Sequence, residues 1–172
     1  MDVDDTLADL VRAHSGAWVR VAYQLTHEPA AAHDVVQEAL ISVCRNWRRR
    51  GVVVDHPSAY VRRAIVNEFL RRERARRPDD LIAAAPDQPA LSKQMDDAIA
   101  DHDRMWRALG KLPARQRAVL VLRYYEDLPD PQIADVLGCR RATVRSLAAR
   151  GLAALRPLIG SEKTDVMEGN PR

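Results

Sequence analysis

Apolar positions recur three and four residues apart over most of this chain. Leu7, Leu10, Val11, His14, Trp18, Val21, Ala22 and Leu25 fall on one side of a helix drawn through them, the spacing of an amphipathic α-helix. A second run follows in Ala32, Val35, Val36, Ala39, Leu40, Val43 and Trp47. Glu28-Pro29 separates the two, and proline is preorganised for a first helical position. A third helix is predicted from Pro57-Ser58 to about Arg77, where Pro78 stops it. From Pro78 to about Met95 no apolar face is sustained, and this stretch reads as a linker. Fully extended, its roughly 18 residues span at most about 60 Å. Helical spacing then returns over about Asp96–Leu109, from Pro113 to Tyr125, and in shorter pieces near Pro131–Leu137 and Arg141–Arg156. No alternating stretch is long enough for a strand. The predicted class is all-α: two small helical domains, 1–77 (a three-helix bundle) and 96–160 (four helices), joined by a flexible linker at 78–95 and followed by a polar, disordered tail at 161–172.

Composition narrows the function classes. The chain has 172 residues, 47% hydrophobic and 30% charged, with a net charge of +3, a balance that suits a soluble folded protein. No apolar stretch approaches the roughly 18 residues of a membrane span, and the acidic start MDVDD is the wrong flank for a signal peptide. The expected compartment is the cytoplasm. Cys44 and Cys139 make neither a disulfide framework nor a metal set. The histidines show no ligand spacing, no Gly-rich loop suggests a phosphate cradle, and no nucleophile–base signature stands out. No cofactor, metal, small-molecule substrate or enzymatic activity is expected.

The modest net charge conceals a division. Residues 45–77 hold eleven arginines against Asp55, Glu68 and Glu73, and residues 111–160 hold nine basic residues against four acidic ones. Two separate basic regions in an acidic remainder point to an anionic polymer as partner.

Residues 130–149 have the spacing of a helix-turn-helix. Ala134 is the small residue where two helices cross, and Gly138, four later, suits the left-handed conformation at the end of the first. Ile133, Leu137, Cys139, Val144 and Leu147 supply the buried positions. The other side of the second helix offers Arg141, Arg145 and Ser146, with Arg140 and Thr143 near its start, where such helices meet base edges in the major groove. Arg150 and Arg156 lie farther along, better placed for phosphates.

In the third helix Arg63, Asn67, Arg71 and Arg74 share one face, with Arg62 beside them, and Val61, Ile65 and Phe69 lie opposite. Arginine holds phosphate and an amide can bond a base. Trp47 and Tyr60 flank the preceding loop, placed either to stack on an unpaired base or to pack in the core; core packing is the stronger reading for Trp47. The second helix presents Asp34, Gln37, Glu38 and Ile41 outward, a face suited to protein rather than DNA.

These features, in this order, resemble the bacterial sigma factors of the extracytoplasmic-function (ECF) group, most nearly the actinobacterial SigE-type subgroup. HDVVQEAL (33–40) resembles region 2.2 of that family. HPSAYVRRAIVNEFLRRERARR (56–77) resembles regions 2.3 and 2.4. ALGKLPARQRAVLVLRYYEDLPDPQIADVLGCRRATVRSLAARGLAALR (108–156) resembles region 4. The resemblance implies a subunit of RNA polymerase. Asp34, Gln37, Glu38 and Ile41 would dock on the clamp helices of the core enzyme. The loop around Arg48–His56 and the helix carrying Arg62, Arg63, Asn67, Arg71 and Arg74 would melt and capture the promoter minus-10 element. The second domain would bind the polymerase flap and read the minus-35 element through Arg140, Arg141, Thr143, Arg145, Ser146 and Arg150. The linker would thread the polymerase, and an anti-sigma factor is a possible regulatory partner. The chain departs from the family pattern at Gln132, Ala142 and Leu147, where Glu, Gly and Arg are usual. The rival reading is a stand-alone helix-turn-helix regulator, which leaves the basic third helix and the Asp34/Gln37/Glu38 face without a task.

Overall fold

The computed structural model describes residues 3–50, 54–76 and 97–160. The predicted linker and tail, and residues 51–53 of the loop before the third helix, lie outside them. Among the described residues every regular element is helical: α1 (Val3–Thr26), α2 (Pro29–Arg50), α3 (Pro57–Arg76), α4 (Asp97–Gly110), α5 (Ala114–Leu120), a π-helical segment (Val121–Tyr125), α6 (Asp130–Leu137) and α7 (Arg141–Gly160).

The first three helices bundle around Trp18, Leu25, Val35, Val43, Trp47, Val61, Ile65 and Phe69, all nearly inaccessible to solvent. These are the positions the helical spacing selects. Trp47 belongs to this core and lies against Tyr60, ring centroids 5.9 Å apart. The second group packs α5 and α6 against α7 around Leu120, Leu122, Ile133, Val144 and Leu155. Gly151 marks the closest approach there: a Cβ at this position would stand 3.0 Å from the Leu120 side chain.

Two boundaries differ from expectation. The single helix expected from Pro113 to Tyr125 is α-helical only to Leu120 and then widens into the π-helical turn. An extra residue is thereby accommodated, which shifts the face presented by Arg123, Tyr124 and Tyr125. The last helix continues past Arg156 through Pro157 to Gly160. Pro157 has no N–H to give the Ala153 carbonyl, and the helix continues beyond it because Leu158 and Ile159 pack against the core.

The two helical groups do not stand apart. α3 packs against α5 and α6, and α1 packs against α4, α5 and the π-helical segment. Arg117 is the centre of this junction. It is 8% exposed, yet its guanidinium donates to four carbonyls: Leu109 (3.1 Å), Gly110 (2.7 Å), Leu112 (3.1 Å) and, across the junction, Leu25 (2.6 Å). It also lies 5.7 Å from the Phe69 ring centroid. The ends of α1 and α4 thus converge on one cation, and the negative ends of two helix dipoles offset its burial. Beside it His27, at the positive-φ turn between α1 and α2, donates from Nε2 to the Trp106 carbonyl at 2.9 Å and lies against that indole, ring centroids 4.2 Å apart and tilted by 41°. Arg62 of α3 pairs with Glu126 at 2.8 Å.

Candidate nucleic-acid interface

The helix-turn-helix is built by ordinary local forces. α6 ends on Gly138 at φ 59°, ψ 42°, and Cys139 N–H closes the turn on the Ala134 carbonyl at 3.0 Å. Only glycine takes this left-handed conformation without a Cβ penalty. Val144 and Leu147 then turn inward. Leu147, an apolar departure from the family pattern, is a core residue here. Cys139 is half-buried rather than buried and packs against the core edge. Arg140, Arg141, Arg145, Ser146 and Arg150 are all exposed, and Thr143 is half-buried. Ser146 and Arg150 are linked, since Arg150 Nη2 donates to Ser146 Oγ at 3.1 Å. Arg145 Nε stands 3.6 Å from Asp130 Oδ2, and the other oxygen of Asp130 accepts from Arg123.

On α3 the residues Arg63, Asn67, Arg71 and Arg74 are exposed along one side. Arg63, Asn67 and Arg71 border a groove against α2 whose lining also includes Asn46, Arg50 and Tyr60. Sequence spacing did not single out Asn46; only the crossing of α2 over α3 brings it there. Glu68 organises the cations. It accepts from Arg71 Nη2 (2.7 Å) and Nε (2.8 Å) and from Arg72 Nε (2.8 Å). The Arg71 hydrogen bond, ahead of the burial that opposes it, holds the Glu68 carboxyl below its ordinary 4.5. Arg62 is separated from this set by its ion pair with Glu126 and is half-buried in the junction.

Asp34, Gln37, Glu38 and Ile41 are exposed on the side of α2 away from the core. Ile41 is 42% exposed and opens onto a groove with Cys44, Arg45 and Arg48. Arg72 reaches the start of this face, donating to the Asp34 carbonyl at 3.3 Å.

Three surfaces therefore emerge on the described residues: an acidic-apolar face on α2, a basic groove between α2 and α3, and a basic recognition helix. Among the described residues no helix is long and apolar enough to cross a membrane, and no group of three His, Cys, Asp or Glu residues is arranged to hold a metal ion.

Comparison with known proteins accords with this arrangement. Residues 10–78 match the model of Sigma-70 region 2, and residues 102–155 match that of Sigma-70, region 4. The RNA polymerase sigma-E factor of Streptomyces coelicolor is 33% identical over 153 residues, 86% of this chain and 82% of the relative. The ECF RNA polymerase sigma factor SigL of Mycobacterium tuberculosis is 33% identical over 160 residues, 87% of this chain and 88% of the relative. In fold, the chain is similar to the sigma factor RpoE of Bartonella quintana, solved in complex with the anti-sigma factor NepR. That likeness has a TM-score of 0.63 at 22% identity and covers 90% of this chain and 96% of that one. On these grounds the chain belongs to the ECF group of the sigma-70 family, RNA polymerase factors that direct promoter-specific transcription initiation.

Proposed function

We propose that the three surfaces divide the work of initiation. Residues 1–77 act as the minus-10 and core-docking domain, and residues 96–160 as the minus-35 domain, with 78–95 threading the polymerase between them. Asp34, Gln37, Glu38 and Ile41 dock on the clamp helices. The α2–α3 groove holds the unpaired minus-10 strand, with Arg63, Arg71, Arg74 and Arg50 on phosphates and Asn67 or Asn46 on a base. Arg62 joins them once it leaves Glu126. The α7 N-terminus enters the major groove, with Arg140, Arg141, Thr143, Arg145 and Ser146 toward base edges and Arg150 toward phosphate. The second domain also meets the polymerase flap.

The observation that carries this reading is an exposed acidic-apolar face on α2 whose chemistry differs from that of both basic surfaces. A stand-alone helix-turn-helix regulator has no use for an exposed Asp34/Gln37/Glu38/Ile41 face beside a basic groove. The protein works in the cytoplasm, where polymerase and promoter are, and performs no catalysis of its own. An anti-sigma factor that covered the α2 face would hold it inactive. The test is core binding. Glu38→Lys reverses a charge at the centre of the α2 face and should weaken association with purified core about tenfold or more, leaving the circular dichroism spectrum unchanged. Full core affinity in that variant would remove Glu38 from the interface.

A further inference from the structure

We infer that Asp130 is a positioning residue for promoter recognition: it holds Arg145 so that one edge of the guanidinium is presented to the minus-35 bases. The inference rests on the reading of Arg145 as a minus-35 contact.

Asp130 stands in the first turn of α6, directly after Pro129. The N-cap position is held by Pro129, which makes no side-chain cap, and an acidic residue in the first turn is favoured by the helix dipole. Its two oxygens instead go to two arginines of different elements. Oδ1 accepts from Arg123 Nη2 of the π-helical segment, and Oδ2 faces Arg145 Nε of the recognition helix at 3.6 Å. The Asp130 and Arg123 side chains are about three-quarters buried, whereas that of Arg145 is 72% exposed.

Each feature has a consequence for DNA. A guanidinium offers two forked edges, Nε–Nη and Nη–Nη. With Nε turned to the carboxylate, the edge left for a guanine is the Nη–Nη fork, which pairs bidentately with O6 and N7. Restraining a long side chain before binding also removes rotamer entropy that DNA would otherwise have to overcome. Arg123 supplies the counter-charge, so the carboxylate can stand close to the DNA-facing surface without repelling phosphate. Arg123 is carried on the π-helical turn, a feature frequent at functional sites. The Asp130–Arg145 contact, made by so exposed an arginine, adds little to folding stability and is better explained by recognition, while the three-quarters-buried Asp130–Arg123 pair contributes to the fold.

The test uses the full chain assembled with core polymerase. Holoenzyme transcribes a pool of linear templates with randomised upstream sequence, and sequencing the transcripts reports base preference at each minus-35 position. Wild type, Asp130→Asn, Arg145→Ala and the double variant are compared, with melting temperature recorded for each. Asp130→Asn should relax preference roughly fivefold to tenfold at the one position that Arg145→Ala also relaxes. The double variant should be no worse there than Arg145→Ala alone, and any fall in melting temperature from losing the Asp130–Arg123 pair should appear equally in Asp130→Asn and the double variant and be absent from Arg145→Ala. A uniform loss at all positions, or an unaltered preference in Asp130→Asn beside a relaxed one in Arg145→Ala, would overturn the inference while sparing the role of Arg145. An unaltered preference in Arg145→Ala would overturn the role of Arg145 and the inference with it.

Discussion

Mild acid should release the two helical groups from one another through His27. Burial, and secondarily the nearby Arg117 charge, push this imidazole from 6.5 down to about 4. Once the groups separate, water returns to the ring and its ordinary value is restored. The closed form therefore holds His27 neutral where the open form would protonate it. Above the ordinary value both forms are neutral and the group contributes nothing; between 6.5 and about 4 the open form binds the extra proton, so closure weakens as pH falls. Linkage with these two values gives a loss of about 2 kcal/mol, or ~30-fold in the closed-to-open ratio, between about pH 7.5 and about pH 5. Glu68 does not compete in that window, because its depressed carboxyl gives a contribution that is lost only as pH falls below 4.5. The assay is energy transfer between dyes on exposed positions, Arg20 in α1 and Arg156 in α7, followed across this pH range. His27→Asn keeps a residue that tolerates positive φ and leaves every other histidine in place. Its transfer efficiency should vary far less with pH than that of wild type. A pH response of equal size in both proteins would refute the role of His27, as would a flat response in wild type.

Other outcomes follow from the same contacts. Arg117→Met leaves the Leu109, Gly110, Leu112 and Leu25 carbonyls without this donor and should cost about 3 kcal/mol or more, read as a large fall in chemical-denaturation midpoint; a shift equivalent to under about 1 kcal/mol would contradict the burial argument. Arg62→Ala should loosen closure by about 1–3 kcal/mol, seen as lower energy transfer at neutral pH, since it strips a largely buried Glu126 of its counter-charge. Glu126→Gln should match it, and a variant more closed than wild type would count against the pairing. Gly138→Ala should destabilise α6–α7 by about 1 kcal/mol because of the positive φ, measured by hydrogen exchange of the α6 and α7 amides; unchanged protection would contradict a left-handed turn there.

Much of the fold was legible because helical periodicity is local. Trp18, Val35, Val61, Val144 and Leu147 were selected by spacing alone, and all are buried. Gly138 was legible because its conformation belongs to one residue type. The exposed Ile41 was legible as an apolar residue on the wrong side of α2. What escaped depends on contacts between distant segments. Arg117 reads as one more arginine in a basic run, since nothing local reveals that two helix ends meet at its guanidinium. His27 reads as a surface turn residue until Trp106, far along the chain, covers it. The π-helical turn hides inside AVLVLRYY, whose continuous apolar run fits an α-helix equally well. Asp130 between two prolines looks like a turn residue, and only the helix crossing brings Arg123 and Arg145 to it. The mutual packing of the two helical groups was left open by the sequence, because the residues that seal it are individually unremarkable.

The most direct measurement is run-off transcription on fragments of genomic DNA with purified core polymerase, the full chain, or both together. Transcripts with defined start sites are expected only when both are present, with a shared pair of sequence elements upstream of those starts. Transcription from the same starts by core alone, or tight sequence-specific duplex binding by the chain with no start sites gained on adding core, would contradict that expectation.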